Sequence, residues 1–528
     1  TMAGVVFSDD IVTLAPFTAG REITLGTEVA GTLSLTDTEI DTVTAEILRI
    51  GNSGAGSIAI TDAISPAGTD TLSLITGNAI LDTHDVNSAD IVVANLALSA
   101  VNGIADNQEL DTDIDTLAAL NTTDGAVAVA EMFGGGSLTI GTVDGLTGVL
   151  NQGSGPHPGH NSIQIETNNG NLTVATGSQV TSSSGGIYLV AQQGNGSTGD
   201  SLFTNGGAIT MQGGTGQIEI VANNMELGSV AGGSSITALN GARVVLSDDP
   251  LSLSTIAIQI GDGATDGVNT LGLTNEELAT VGTAGTLQIG HAESGVVTAG
   301  DIELADIGGI EVNTGSNANV NGTIDGAFDL TVNAAGVTTF GGVIGGTTAL
   351  ASLTTDEPGS TSIGAGIINV DGNTTTFNDA VTLTDDLTIT DTGDVFFGGT
   401  IGGFFDLTVN SGDTVTFKKG VGDLPNSVPN NLTVDAPHIA VWEDIFTVFD
   451  TSLSGAVTLD TVEADRRVTF LADNLTLAGS LDGDVTVFMF PRNDTFLNGT
   501  IGTIDPLKSL TITPSPTAGA DPHIVYVG

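Results

Sequence analysis

Short runs in which apolar and polar residues alternate, each closed by Gly, Asn or Asp, fill the chain from end to end. In a strand, residues two apart share a face, so such runs predict half-buried β-strands joined by tight corners. The clearest sample lies between Phe328 and Gly422. FDLTVNAAGVTTFGGVIGG opens at Phe328 and FDLTVNSGDTVTFKKGVG at Phe405, with TTTFNDAVTLTDDLTIT and DVFFGGTIGG between them. Phe340, Phe377, Phe397 and Phe417 each close an alternating run. The last three are 20 apart (397 − 377 and 417 − 397), as are Leu387 and Leu407 (407 − 387). A fixed period with one aromatic and one leucine per repeat predicts a solenoid whose coils stack Phe on Phe and Leu on Leu.

The Leu-Thr unit recurs at Leu138, Leu172, Leu330, Leu387, Leu407, Leu432, Leu475 and Leu510, which extends the plan over most of the chain. A second repeat is LSLTDTEIDTVTAEILRIGN at Leu33 and LGLTNEELATVGTAGTLQIGH at Leu271, 238 residues apart (271 − 33). Each copy reads as a strand, a short helical or turn segment around the Glu, and a further strand ending in Gly. The expected fold is therefore all-β, a single elongated solenoid rod with about 20–25 residues per coil. That spacing implies about 20–26 coils, and at about 4.8 Å per coil a rod on the order of 100–125 Å. Residues 1–30, broken by Pro16, are expected to form an N-terminal cap or first coils, and 31–320 a solenoid with loop insertions. Residues 321–510 are expected to carry the Phe ladder, and 511–528 a C-terminal cap or assembly segment. The Gly/Ser-rich tract 151–216 still contains SIQIET, NLTVAT and GIYLVAQ, so it predicts lateral loops on the solenoid rather than a linker.

Composition narrows this further. There is no Cys, so neither disulfides nor thiolate metal sites hold the chain. Nine Lys and Arg face 62 Asp and Glu, a formal charge of −53. That balance argues against nucleic acid and anionic membrane as partners, since both need a basic footprint. Few amines also leave few trypsin-type cleavage points, and with the missing Cys this fits an exported protein outside the cell. The longest apolar candidate, IVVANLALSAV at Ile91, is too short to span a bilayer, so no membrane insertion is expected. No charged and apolar leader opens at Thr1, which suggests a start after any export signal.

Candidate chemistry is thin. Asp111, Asp113 and Asp115 in DTDIDT would share one strand face; like charges that close call for a cation, and calcium is the ion such a site would take. An exposed strand face in screening salt is the plainer alternative. No cofactor is otherwise required. Lys418-Lys419 replaces the Gly-Gly that follows Phe in the sister coil, marking a candidate interface corner, or else a solvated one. Arg466-Arg467 sits beside Glu463 and Asp465, an internal pairing. His157 and His160 in PHPGH are three apart, but the Pro and Gly around them predict a loop rather than a helix, which argues against a metal role. Trp442, the one Trp, reads as an apolar anchor or a glycan-stacking platform. Chance carboxylate pairs are inevitable among 62 acids, and no Ser/His/Asp set or phosphate loop is present.

FGGVIGGTTALASLTTD, TTTFNDAVTLTDDLTI, VFFGGTIGG and the LTDTEIDTVTAEILRIGN unit resemble repeats of filamentous-haemagglutinin-like and autotransporter-like bacterial surface proteins. The resemblance implies a right-handed parallel β-helix, export across the outer membrane, and a role in adhesion, aggregation or surface fibres. The functional expectation is a non-enzymatic structural subunit or shaft at the bacterial cell surface, assembling with copies of itself through coil ends. Two alternatives stay open: a β-helical polysaccharide-active enzyme (a lyase or tailspike-like hydrolase), and a monomeric adhesin that binds glycans or a host.

Overall fold

The structure is a computed structural model of the chain. It describes residues 5–84, 88–106, 108–132, 136–153, 162–192, 201–214, 216–250, 252, 255–304, 306–422, 427–448, 450–459, 467–472, 474–479, 481–482, 486–491, 495–501, 507, 509–512 and 525–527. The class is all-β, with parallel strands in a large parallel sheet. Among the described residues the helices are two of four residues and one short 3-10 turn. The chain divides into two compact units: residues 1–256, 265–290 and 306–308, and residues 257–264, 291–305 and 309–528.

In the first unit the chain keeps coming back alongside itself. Leu48 lies opposite Leu72, Leu72 opposite Leu96, and Leu96 opposite Leu117, all four fully buried. A second column runs Ile58, Ile80, Ile104, Val127, Ile163, Ile187, Ile218 and Val244, again with no exposure. The return is 24 residues between Leu48 and Leu72 (72 − 48) and 36 between Val127 and Ile163 (163 − 127). Strand parity sends every second side chain inward, and the parallel register sets like on like. SIQIET, NLTVAT and GIYLVAQ form the strands Ile163–Asn168, Leu172–Val174 and Ile187–Gln192.

The second unit keeps the shorter return read from the sequence. Leu387 lies opposite Leu407 and Leu407 opposite Leu432, while Val395 faces Val415 and Val415 faces Ile439. Phe377, Phe397 and Phe417 stack with ring centroids 5.5 and 5.4 Å apart and interplanar angles of 17° and 2°. All three are buried, so the stack adds aromatic contact to area burial. Phe340 does not join it. It closes Val337–Phe340 in a different column, between Val320 and Ile363, and stands 37 residues before Phe377 (377 − 340), off the 20-residue spacing.

Both copies of the second repeat fold as their residues predict. Thr36 and Glu39 form a reciprocal capping box on the helix Asp37–Ile40, and Thr274 and Glu277 do the same on Asn275–Leu278. The strand after the first helix reaches Gly51 at φ +90, where an added Cβ would lie 2.2 Å from the Ile75 carbonyl oxygen.

The hairpin Thr142–Val143/Leu146–Thr147 is an antiparallel pair, and its turn, Asp144-Gly145, takes positive φ at both residues, as a two-residue hairpin requires. It lies over an outward column in which Arg49, Ser73, Ala97 and Ala118 are successive neighbours. Val143 and Leu146 pack on Ala97 and Ala118, whose small side chains leave room for it. At the tip, Asp144 accepts from Arg49 through both oxygens, at 2.6 and 2.8 Å, and from Ser73. The guanidinium holds this carboxylate below its usual range against the opposing effect of burial.

Two outcomes follow for stability in denaturant. Phe397→Ala should cost about 3–5 kcal/mol, because the rings on either side cannot close the gap. Arg49→Ala and Asp144→Ala should each cost on the order of 1–3 kcal/mol, and the double variant little more than the worse single one.

Candidate functional site

The richest chemistry lies on the outer face of the first unit. Inward positions Leu110, Val129, Ile165, Leu189, Ile220 and Leu246 form one fully buried column. The residues between them face out, so Gln164, Tyr188 and Glu219 stand in one outer row, and Asp111, Ala130 and Glu166 in the next. Gln164 donates to Glu109 and, at 2.8 Å, to Glu166; Gln217 donates to Glu219 at 2.8 Å. Ala128, Ala130, Val190 and Val221 face out yet are buried, giving the row an apolar floor.

Burial and mutual repulsion raise the acids of this face. Asp111 is pushed up to about 6 by burial, then by Asp82 and Glu109. Glu166 is pushed up to about 7 by burial, then by Glu109, with the Gln164 hydrogen bond opposing. The Tyr188 phenol is raised by burial and by Glu166, Glu219, Asp249 and Glu109. Upstream, His84 Nδ1 is 2.7 Å from Asp90 and Nε2 is 3.4 Å from Asp62. Asp90 is fully buried and pushed up to about 6, burial outweighing its bond to His84.

Asp111 and Asp113 share the outer face of Leu110–Asp113, both half-buried, and Asp115 is exposed beyond the strand. Among the described residues no group of three or more His, Asp or Glu is arranged to hold a metal ion. The consequential acid nearby is Glu131, which points inward between Thr112 and Thr167 and is 1% exposed. Its Oε2 accepts from the Thr112 hydroxyl at 3.0 Å and the Ile114 amide at 2.8 Å, while Oε1 has no hydrogen-bond partner among the described residues. Burial pushes it up to about 8, and the charges of Asp113 and Asp115 add to the rise. The parity of GAVAVAE was the available signal, since it puts Glu131 in line with Val127 and Val129.

Lys418 and Lys419 are both exposed at the corner after Phe417. Lys419 Nζ lies 3.7 Å from Glu443 and, with Glu357, Asn378, Asp379, Gly398 and Gly399, borders an open hollow of about 800 Å³. The corner carries Asp379 in one strand's extension, Lys419 two circuits later, and only Gly399 between them, where a Cβ would meet the Asp379 carbonyl at 2.2 Å. Asp379 itself is buried and accepts from Thr355 and Thr361, and burial raises it. Trp442 is half-buried, its amide donating to Phe417. His157, His160, Glu463, Asp465 and Arg466 lie outside the described residues, as does the Arg467 side chain. No described helix is long and apolar enough to cross a membrane. The chain matches no family model, no curated protein and no solved structure.

Glu131 makes stability depend on pH. Its proton is held more tightly in the folded chain than in the unfolded one, so the stabilisation is complete below about pH 4.5 and is lost as pH rises toward about 8. At about 1.4 kcal/mol per unit, the loss between pH 4.5 and 7 is roughly 3 kcal/mol. Glu131→Gln should flatten the profile by that amount in urea melts across the range. Glu166, Asp90 and Asp111 retain a slope of the same sign.

Proposed function

We propose that the parallel columns belong to a right-handed parallel β-helix, and that this shaft is itself the function. The chain is then a non-enzymatic structural protein of the bacterial cell surface, a subunit or shaft segment of a fibre or adhesin. The observation that carries this reading is the recurring register: described strands are placed like on like, through Leu48, Leu72 and Leu96 in the first unit and through Leu387, Leu407, Leu432 and the three stacked Phe rings in the second. Repetition of this kind builds length and lateral surface rather than one convergent site. The charge of −53 and the absence of Cys support a place outside the cell, and the resemblance to filamentous-haemagglutinin-like and autotransporter-like repeats points the same way.

A second reading, a β-helical polysaccharide-active enzyme, is favoured by the acids around Tyr188. Glu166, raised to about 7, has the protonation of a general acid near neutral pH, and Glu109 and Glu219 supply further carboxylates on the same face. One experiment separates the two. Incubated with a panel of acidic and neutral polysaccharides, the protein should release no reducing ends and no unsaturated products. Turnover that disappears in Glu166→Gln would replace the structural reading with the enzymatic one.

A further inference from the structure

In the second unit the strands Leu387–Asp391, Leu407–Ser411, Leu432–Val441, Asp450–Leu459 and Asn474–Leu477 lie side by side in parallel. Their leucines are buried, so parity turns Thr390, Asn410, Asp435 and Ser454 outward as successive neighbours. Ala478 continues the row, its amide donating to the Leu453 carbonyl. The row borders an open trough of about 700 Å³. Beside it the lining turns small and apolar at Gly412, Ala436, Pro437 and Gly455. At Gly412 and Gly455 a Cβ would lie 2.2 and 1.8 Å from the Thr392 and Ala436 carbonyl oxygens, so those places stay bare. From Thr390 to Ala478 the trough crosses four strand spacings, about 19 Å. Amides elsewhere in this unit go to neighbouring segments: Asn333 donates to Asn313, Asn369 to the Gly345 carbonyl, Asn431 to Asp406. No side-chain hydrogen bond ties Thr390, Asn410, Asp435 or Ser454 to another described residue.

We propose that this trough is a binding site for a linear, uncharged glycan laid across the strands. The inference goes beyond the shaft reading and stands on the trough alone. Hydroxyl, amide and carboxylate groups recur from strand to strand beside bare apolar places. A chain of sugar rings offers the complement, hydroxyls along its edges and C–H groups on its faces. The described lining holds no Lys or Arg and the chain carries −53, so a uronate or phosphate polymer meets only repulsion. A peptide strand finds no edge to join, because each of the five strands is paired on both sides. The lining also favours holding the glycan over cutting it. Asp391 is buried and accepts from the Thr375 hydroxyl and the Gly393 amide, which leaves Asp435 as the exposed carboxylate of the trough. Glycoside hydrolysis calls for a facing pair.

Calorimetric titration of the 528-residue chain with cello-, malto-, manno- and chito-oligosaccharides tests the site. At least one series should bind without release of reducing ends, its affinity rising with length until the trough is filled and then levelling. Asn410→Ala and Ser454→Ala should each weaken that binding about three- to tenfold, and Asp435→Ala about tenfold or more. Asp435 and Ser454 are exposed and Asn410 is half-buried, so the variants should keep the wild-type thermal melt. Thr376→Ala, on an outward row away from the lining, should bind as the wild type does. Absence of binding by all four series, or binding that the three trough variants leave unchanged, overturns the site. Tighter binding of oligogalacturonate or of an oligolysine peptide than of any neutral sugar overturns the ligand class. The shaft reading falls on a different result, turnover lost in Glu166→Gln of the first unit, so the two fail separately.

Discussion

The parallel backbone ladder between successive circuits is the interaction on which the structure depends. Strands inside the large sheet pair in parallel with one strand earlier and one later in the chain, so their spacing is set by the hydrogen bonds, at about 4.8 Å. Side chains then have little choice. An inward leucine meets whatever stands at the same place in the neighbouring circuits, and the chain answers with Leu on Leu at Leu387, Leu407 and Leu432. Corners obey the same constraint. At Gly399 the strands approach so closely that only a glycine fits.

Polar groups survive inside where the ladder supplies partners. Asn121 donates to Asn151, and Asn151 in turn to Ser162, along the interior of successive circuits. Asp379 and Asp391 accept from threonine hydroxyls of adjacent strands. Glu131 is the extreme case, an acid kept in the core by giving up its charge. The few cations take local partners: Arg49 anchors the hairpin tip, Arg243 donates to Gln288, and Arg21 to the Thr32 carbonyl. With so few available, many acids face one another, and their repulsion adds to burial in raising Asp111 and Glu166.

Much of this was legible in the residues. The parity of the Leu-Thr units, the 20-residue spacing of Phe377, Phe397 and Phe417, and the capping-box pattern at Thr36 and Thr274 are local rules that the backbone cannot easily override. Phe340 closes a similar run but stands 37 residues before Phe377 (377 − 340), off the 20-residue spacing, and it joins a different column. The hairpin at Asp144-Gly145 carried a strong turn signal, but its resting place depends on Arg49, 95 residues earlier, and on small side chains at Ala97 and Ala118. The row around Tyr188 was invisible for a similar reason. Glu109, Glu166 and Glu219 are ordinary acids in the sequence, and the register alone brings them together.

The central claim is the register, and a spin-pair distance measures it. Thr376, Phe396, Thr416, Ala440 and Thr458 are successive outward neighbours, so Thr376 and Thr458 stand four steps apart. The chain has no Cys to interfere with nitroxide labels on Thr376→Cys and Thr458→Cys. Four spacings of the ladder predict a narrow distribution centred at about 19 Å, widened only by the label tethers. A broad distribution, or one centred beyond about 30 Å, is incompatible with four ladder spacings and would contradict the stacking.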